Sequence, residues 1–322
     1  TLVTEFVLRG FAGGPVLHII LFVVLLLVFI LILAGNIFMI VIIIKDYHLH
    51  LPMYMFLASL SFTETLVNCM VIPKMLSIFI ARQAFISRVG CFTQCFVFYF
   101  LTSSCFLFLG LMSIDRYAAI CHPLRYPRIM TNSVCLRSVC ACFIMSFLLI
   151  FYPLITVPTL PICNQVLDHF FCEGEAIMRL FCVDTSIFRL LAVVSSVFIL
   201  LGSLIITIIS YILILSSILK ISSVTGRSKT FSTCLSHLTM VSIVFGMSIF
   251  NQLRPHRDDF IELEKALNVG NIMVAPLLNP FVYTLRNQMV KDSIRNAIRW
   301  RKNVPLPSAL WYKCTDKHNV DL

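Results

Sequence analysis

Charged residues are scarce in this chain. Only 12% of its 322 residues are Asp, Glu, Lys or Arg, whereas a soluble domain carries about 25%, and 59% are hydrophobic. The sequence also has no Asn-x-Ser/Thr sequon, no internal repeat, and no Ser-His-Asp set or metal-ligand cluster at one predicted depth. The shortage of charge indicates a membrane protein, and the other absences argue against an enzyme and against a transporter built from repeats.

Long apolar runs with charged borders mark the membrane segments. A bilayer span needs roughly 20 apolar residues, and residues 19–44 form a run of 26 without a charge. No small-residue cleavage site follows this run, so we expect a retained first helix rather than a signal peptide. Such runs predict seven spans, over about 19–44, 53–79, 91–117, 138–160, 190–219, 231–253 and 266–285.

Lys and Arg are distributed unevenly among the connecting segments. If the C-terminus lies inside, the inner segments hold 16 of the 25 Lys and Arg residues and the outer segments hold 9. Because such residues favour the cytoplasmic side, the N-terminus is predicted to lie outside. The net charge of +10 then reflects topology and gives no support to nucleic-acid binding. We expect residues 286–301 to form an amphipathic helix on the inner lipid leaflet, followed by a cytoplasmic tail over 303–322.

Four of the 13 cysteines, Cys91, Cys163, Cys172 and Cys182, fall on the predicted outer side, where disulfides persist. Four cysteines allow three pairings, and the sequence alone does not choose among them. His169 lies between two of them and could belong to a metal site. Oxidised cysteines cannot supply thiolates, however, so we interpret His169 as a structural residue of the loop.

The third predicted span ends in the charged triplet Asp115-Arg116-Tyr117. A charged pair at a membrane edge is costly unless it is partnered, which marks a functional site. Residues 112–126 resemble the olfactory receptors, tetrapod-type, among the rhodopsin-like G-protein-coupled receptors. The likeness runs from about residue 4 to residue 299, with further motifs in order: Pro52-Met53-Tyr54, Ser228-Lys229-Thr230-Phe231-Ser232 and Asn279-Pro280-Phe281-Val282-Tyr283. It implies an all-α membrane protein, a seven-transmembrane helix bundle.

The resemblance also implies roles for particular residues. Two disulfides are expected, Cys91–Cys172 and Cys163–Cys182. An activation switch is expected to comprise Asp115, Arg116, Tyr117, Tyr211, Asn279, Pro280 and Tyr283, the alternative for the charged pair being a static interfacial ion pair. Contacts to a G protein are expected from His122, Pro123, Leu124, Arg125, Tyr126 and Lys229.

Helical spacing places a candidate ligand pocket in the outer half of the bundle. Its aromatic and aliphatic walls with a few hydroxyls suit a small, mostly apolar odorant, and the alternative for each residue is helix packing. The predicted set is Phe98, Tyr99, Thr102, Ser103, Phe106, Ser195, Ser196, Ile199, Phe245, Ser248, Ile249, Gln252 and Ile272. No cofactor or metal is expected.

Three positions depart from the family pattern: Cys105 replaces an acid, Glu64 stands where Asp is commoner, and Gln252 replaces a Tyr. The predicted function is an odorant receptor that couples to a stimulatory G protein and raises cyclic AMP. A receptor of the same fold that senses a metabolite outside the nose is one alternative. A transporter or channel is another, but only Glu64 provides an intramembrane charge for it.

Overall fold

The structure is a computed structural model that describes residues 3–81, 83–220, 223–253, 261–286 and 289–295. The predicted amphipathic helix over 286–301 is therefore described only in part, and residues 289–295 are helical. The predicted tail over 303–322 lies outside the described residues.

Long helices connected by short segments form most of the chain. The helices are α1 (Pro15–Lys45), α2 (Pro52–Ala81), α3 (Arg88–Cys121), α4 (Tyr126–Ile129), α5 (Asn132–Thr156), α6 (Gly174–Met178), α7 (Ser186–Leu219), α8 (Val224–Leu253) and α9 (Ile261–Arg286). The strands are β1 (Glu5–Arg9), β2 (Gln83–Ser87) and β3 (Val166–Leu167). Short 3-10 turns cover Tyr47–Leu49 and Val157–Thr159.

Several helices begin before the predicted spans. Helix α5 begins at Asn132 rather than near residue 138, and α8 begins at Val224 rather than near residue 231. The start of α5 follows from local chemistry, because the Thr131 side chain accepts a hydrogen bond from the Val134 N–H and caps the helix. Apolar runs locate the bilayer-sized part of a helix but not the polar turns beyond it.

Six of the described helices are long and apolar enough to cross a membrane. They correspond to the first six predicted spans, in α1, α2, α3, α5, α7 and α8. The seventh span falls on α9, which has 26 residues and carries Glu262 and Glu264 in its first turn. Many apolar side chains on α1, α5 and α7 are exposed, as expected of surfaces that face lipid.

Helix α3 lies at the centre of the bundle and packs extensively against α2 and α7. A Cβ atom on Gly110 of α3 would lie 3.5 Å from the Ser203 Cα of α7, which is an ordinary van der Waals distance. The buried apolar residues form one large cluster that includes Phe6 and Phe171 and a second that includes Phe108 and Tyr283. We call the end of the bundle that contains the strands the sheet end and the opposite end the Arg116 end.

The three strands form a small sheet that the all-α prediction missed. Strand β1 pairs antiparallel with β2 and parallel with β3, in the order β2-β1-β3. Along β1, Phe6 and Leu8 are fully buried while Glu5 and Arg9 are exposed, which is the alternation of a half-buried strand. A five-residue strand is too short to stand out in the sequence without its partners.

Candidate functional site

A cavity of about 390 Å³ opens between the helices at the sheet end. Side chains from α2, α3, α5, α7, α8 and α9 line it, together with the segment that contains α6. Eleven of the thirteen predicted pocket residues line this cavity: Phe98, Tyr99, Thr102, Ser103, Phe106, Ser195, Ser196, Ile199, Ser248, Gln252 and Ile272. Cys105, which stands where the family usually has an acid, lines it as well.

The two other predicted pocket residues, Phe245 and Ile249, are not part of the cavity lining. Phe245 is 2% exposed and packs edge-on against Phe106, with ring centroids 5.5 Å apart. Ile249 packs against the buried cluster that contains Phe108. Their positions along α8 are level with the cavity, which is why the sequence predicted them. Their side chains, however, lie on the side of α8 that packs against the core.

The segment between α5 and α7 covers the cavity and is tied to α3. The Cys91–Cys172 disulfide joins them with a Cα–Cα distance of 5.3 Å. Gln94 strengthens the link, because its Oε1 accepts from the Cys172 N–H at 3.0 Å and its Nε2 donates to the Met70 carbonyl at 2.8 Å. The Cys163–Cys182 disulfide closes the segment on itself. Both disulfides are those that the resemblance implies.

Glu173, next to Cys172, places a carboxyl group in the cavity wall. Its Oε1 accepts from the Tyr99 hydroxyl and its Oε2 accepts from the Ala176 N–H, both at 2.9 Å. Burial raises the pKa of Glu173 above its usual range, and the neighbouring Glu264 adds to the rise. Sequence reasoning missed Glu173, although its position beside a cysteine that is tied to α3 was the signal for it.

Charged and amide side chains that were not predicted complete the wall. Arg189 Nη1 lies 3.1 Å from Glu175 Oε1, and both residues line the cavity. In the same wall, Asn251 Nδ2 donates to Asn268 Oδ1 at 3.1 Å. These contacts join different helices and loops, so their pairing is not visible in the sequence.

Lys265 ties three segments together at the sheet end. Its Nζ donates to the Gly10 carbonyl at 2.9 Å, to Asp168 Oδ1 at 2.7 Å and to Glu262 Oε1 at 2.9 Å. The side chain is 1% exposed. The N-terminal segment, the covering segment and α9 are thereby held to one another.

His169 of the covering segment is buried. Its Nε2 lies 3.1 Å from Asn268 Nδ2, and its ring packs against Phe170 and Phe171. The described residues contain no group of three His, Cys, Asp or Glu side chains arranged to hold a metal ion.

Polar side chains connect the cavity wall with α9 below it. Glu64 lines the cavity, and its Oε1 accepts a short hydrogen bond from Asn279 Nδ2. Asn36 Nδ2 donates to the Pro276 carbonyl at 2.9 Å. This carbonyl lacks its usual partner within the helix because Pro280 has no N–H. Pro280 itself packs against Gly35. Helix α9 thus contacts α2 through Asn279 and α1 through Pro276 and Pro280.

The predicted charged pair lies at the Arg116 end. Arg116 Nη2 lies 2.6 Å from Asp115 Oδ2, and the Asp115 side chain is fully buried. The Tyr126 hydroxyl donates to Asp115 Oδ1 at 2.8 Å, and burial together with the Asp115 charge raises the pKa of Tyr126. The pair is therefore closed and capped by the segment that follows α3.

Two further tyrosines of the predicted switch are buried near this end. The Tyr211 hydroxyl lies 2.9 Å from His237 Nδ1, which joins α7 to α8. The Tyr283 side chain is 1% exposed, and its hydroxyl has no hydrogen-bond partner among the described residues. Tyr117 instead lies near the surface, with its hydroxyl 3.1 Å from His122 Nε2.

Most of the predicted G-protein contacts are exposed in the segment between α3 and α5. Leu124 is 95% exposed, Pro123 and Arg125 are exposed, and Tyr126 is half-buried against Asp115. Lys229 lies in α8, but its side chain is outside the part of the structure that is described.

Comparison with known proteins gives a consistent set of relatives. Residues 25–300 match the family model described as "Olfactory receptor". The chain is 41% identical to human "Olfactory receptor 6S1" over 319 residues, which cover 98% of this chain and 96% of that protein. It is 42% identical to human "Olfactory receptor 6X1", with 92% of this chain and 96% of that protein covered. It is also 43% identical to human "Olfactory receptor 10J5", with 91% and 95% covered.

Proposed function

Because the chain belongs to the olfactory receptor family, we propose that its cavity binds a small, mostly apolar odorant and that binding activates a stimulatory G protein, which raises cyclic AMP. Members of this family are seven-helix receptors, not enzymes, so the protein is a G-protein-coupled odorant receptor of the plasma membrane. The proposal concerns three further points: the chemistry of the ligand, the class of G protein and the orientation of the termini.

One observation supports this proposal above the others: α3 extends from the sheet end of the bundle to the Arg116 end. It begins beside the Cys91–Cys172 disulfide, lines the cavity with Thr102 and Ser103, and ends with the Asp115–Arg116 pair. Allostery requires two sites and an element whose states both sites bias. A ligand that shifts α3 relative to α7 would change the environment of Arg116.

The closed pair provides the resting state of the switch. In this proposal Arg116 leaves Asp115 on activation and becomes available to the G protein, while Tyr211 and Tyr283 fill the space it leaves. The Asn279-Pro280 step of α9 supplies the hinge, since Pro280 lacks the N–H of a regular helix. The residues from His122 to Tyr126, with Lys229, contact the partner, and the basic segment over 286–301 contacts inner-leaflet lipid.

The orientation follows from charge, with the N-terminus outside and the Arg116 end facing the cytoplasm. A receptor of the same fold that senses a metabolite in another tissue would use the same residues. The site of expression separates these two uses.

An odorant screen that reads cyclic AMP in cells tests the proposal. We expect at least one small, mostly apolar compound to raise cyclic AMP in cells that express the receptor, and Arg116→Ala to abolish the response at equal surface expression. Arg128→Ala is a matched control, because Arg128 is exposed in α4 and is not part of the proposed switch. A strong ligand-dependent response that persists in Arg116→Ala would refute the switch.

A further inference from the structure

A second, smaller cavity lies at the side of the bundle, between α3 and the end of α5. It has a volume of about 270 Å³, and on α3 it is lined from Arg88 to Phe96, a length of about 12 Å at 1.5 Å per residue. We call this cavity the α3–α5 groove. Apart from Arg88 and Thr93 its lining is apolar, with Val89, Phe92, Phe96, Leu154 and Pro158.

The groove opens on a surface that faces lipid. Val89 is 77% exposed, and Phe151 and Ile155 on α5 are exposed as well. Helices α3 and α5 are both long and apolar enough to cross a membrane, and Arg88 lies just before the predicted span over 91–117. The groove therefore begins at the depth of the lipid headgroups and continues into the hydrocarbon region.

Among the described residues that line the groove, Arg88 alone is charged. Its Nη2 donates to the Pro158 carbonyl at 2.6 Å, and no described carboxyl group pairs with its guanidinium, whereas Arg189 and Lys265 at the same end pair with acids. A guanidinium has five N–H donors in a fixed fork, so donors remain for an anion. A cation beside hydrocarbon is costly without a partner, and a phosphate group matches the fork of an arginine.

The groove and the larger cavity are separated by one layer of side chains. The residues that line both are Phe92, Phe96, Leu154 and Pro158. Side chains that face a void lose dispersion contacts on that side. A hydrocarbon chain in the groove would therefore support the wall of the larger cavity from the lipid side.

From this arrangement we infer that the α3–α5 groove binds one phospholipid of the surrounding leaflet, with its phosphate on Arg88 and part of an acyl chain along Phe92 and Phe96. The phosphate supplies the anion that the guanidinium lacks, and the acyl chain fills the apolar lining. A diacylglycerol would fill the same lining but would leave Arg88 without an anion. This lipid site is distinct from the cavity to which we assign the odorant.

Photocrosslinking with two lipids tests the inference. The full chain is purified in dodecyl maltoside, which has no phosphate, and receives a phosphatidylcholine or a diacylglycerol that carries the same diazirine-bearing acyl chain. Mass spectrometry locates the labelled peptides, and labelling of the groove is expressed relative to that of α1. We expect phosphatidylcholine to label the groove about tenfold more than diacylglycerol, the effect of one charge-assisted hydrogen bond. Equal labelling by the two lipids overturns the inference, as does phosphatidylcholine labelling that is no higher in the groove than on α1.

Variants at Arg88 identify the group that holds the phosphate. Arg88→Gln removes the charge and keeps a donor for the Pro158 carbonyl, so groove labelling by phosphatidylcholine should fall to the level seen with diacylglycerol. Arg88→Lys restores the charge and should restore the preference. The matched control is Arg9→Gln, because Arg9 is exposed at the end of β1 and does not line the groove. A preference for phosphatidylcholine that is unchanged in Arg88→Gln overturns the assignment to Arg88.

Thr93 provides a test that leaves the guanidinium in place. It is exposed and lines the groove but not the larger cavity. Thr93→Trp should fill the groove and reduce its labelling by phosphatidylcholine to the level on α1, whereas Ile144→Trp, at an exposed position of α5, should leave it unchanged. Full labelling in Thr93→Trp would place the lipid outside the groove. These measurements need neither an odorant nor a G protein, so their outcome is independent of the proposed function.

Discussion

At the residue scale, Glu173 couples the covering segment to the cavity through a single carboxyl group. It accepts hydrogen bonds from Tyr99 and from the Ala176 N–H, and burial raises its pKa. Glu264 and Glu175 raise the pKa further because they bring more negative charge nearby. The group is therefore held closer to its neutral form in the folded protein than in the unfolded chain.

This shift predicts how stability depends on pH. An acid whose pKa is raised on folding stabilises the fold fully below its unfolded pKa, and this contribution is lost as the pH rises through the folded pKa. We expect the melting temperature of the purified receptor to rise as the pH falls from neutral to about pH 5, and Glu173→Gln to remove part of that rise. Glu5→Gln, on the exposed side of β1, should leave the pH dependence as it is. Identical pH dependence in wild type and Glu173→Gln would contradict this role.

Residue chemistry was only partly readable from the sequence. The charged pair at Arg116 and the four disulfide cysteines stand in recognisable motifs, so both could be predicted. Glu173, Asn251 and Lys265 could not, since each acquires its role from a partner at least 17 residues away, such as Asn268 for Asn251 and Gly10 for Lys265. Phe245 shows the opposite limit. Its position along α8 is level with the cavity, but its side chain is buried in the core and does not line the cavity.

At the element scale, α1 and α9 approach each other closely at one glycine. A Cβ atom on Gly35 would lie 3.0 Å from the Pro280 Cγ and 3.1 Å from its Cβ. The proline ring is rigid, so it cannot move aside as a flexible side chain would. The absence of a side chain at Gly35 thus allows α1 to pack on the proposed hinge of α9.

Gly35→Ala should therefore destabilise the receptor by about 1–3 kcal/mol, the usual cost of overpacking, measured as a lower midpoint of thermal unfolding. Gly202→Ala is the matched control, because a Cβ atom there would have nothing within 4 Å. In α7 that change should be neutral or stabilise by up to about 1 kcal/mol through helix propensity. Equal midpoints for the two variants would show that the approach of Pro280 does not limit packing.

The long helices were predictable because apolar length is a local property of the sequence. Their ends were not, since caps such as Thr131 extend them beyond the apolar run. The sheet was missed for a related reason: β1 pairs with β2 and β3, which lie far along the chain. Whether such a short segment forms a strand depends on pairing with residues far along the chain.

At the scale of the whole molecule, charge divides the two ends of the bundle. The connecting segments on the Arg116 side and the C-terminal part hold 16 of the 25 Lys and Arg residues. On the sheet side, Lys265 is paired with Asp168 and Glu262, and Arg189 is paired with Glu175. Lys265 and Arg189 are thus paired with acids on the sheet side, and most of the Lys and Arg residues lie at the other end.

This asymmetry predicts the orientation in the plasma membrane. Lys and Arg are retained on the cytoplasmic side, and the two disulfides lie at the sheet end, where an oxidising exterior would preserve them. An epitope tag placed before Thr1 should be stained in intact cells, whereas a tag inserted between α7 and α8 should be stained only after permeabilisation. A tag between β3 and α6 provides an independent outer marker. Staining of the α7–α8 tag in intact cells would reverse the orientation, and Arg116 would then face away from any G protein.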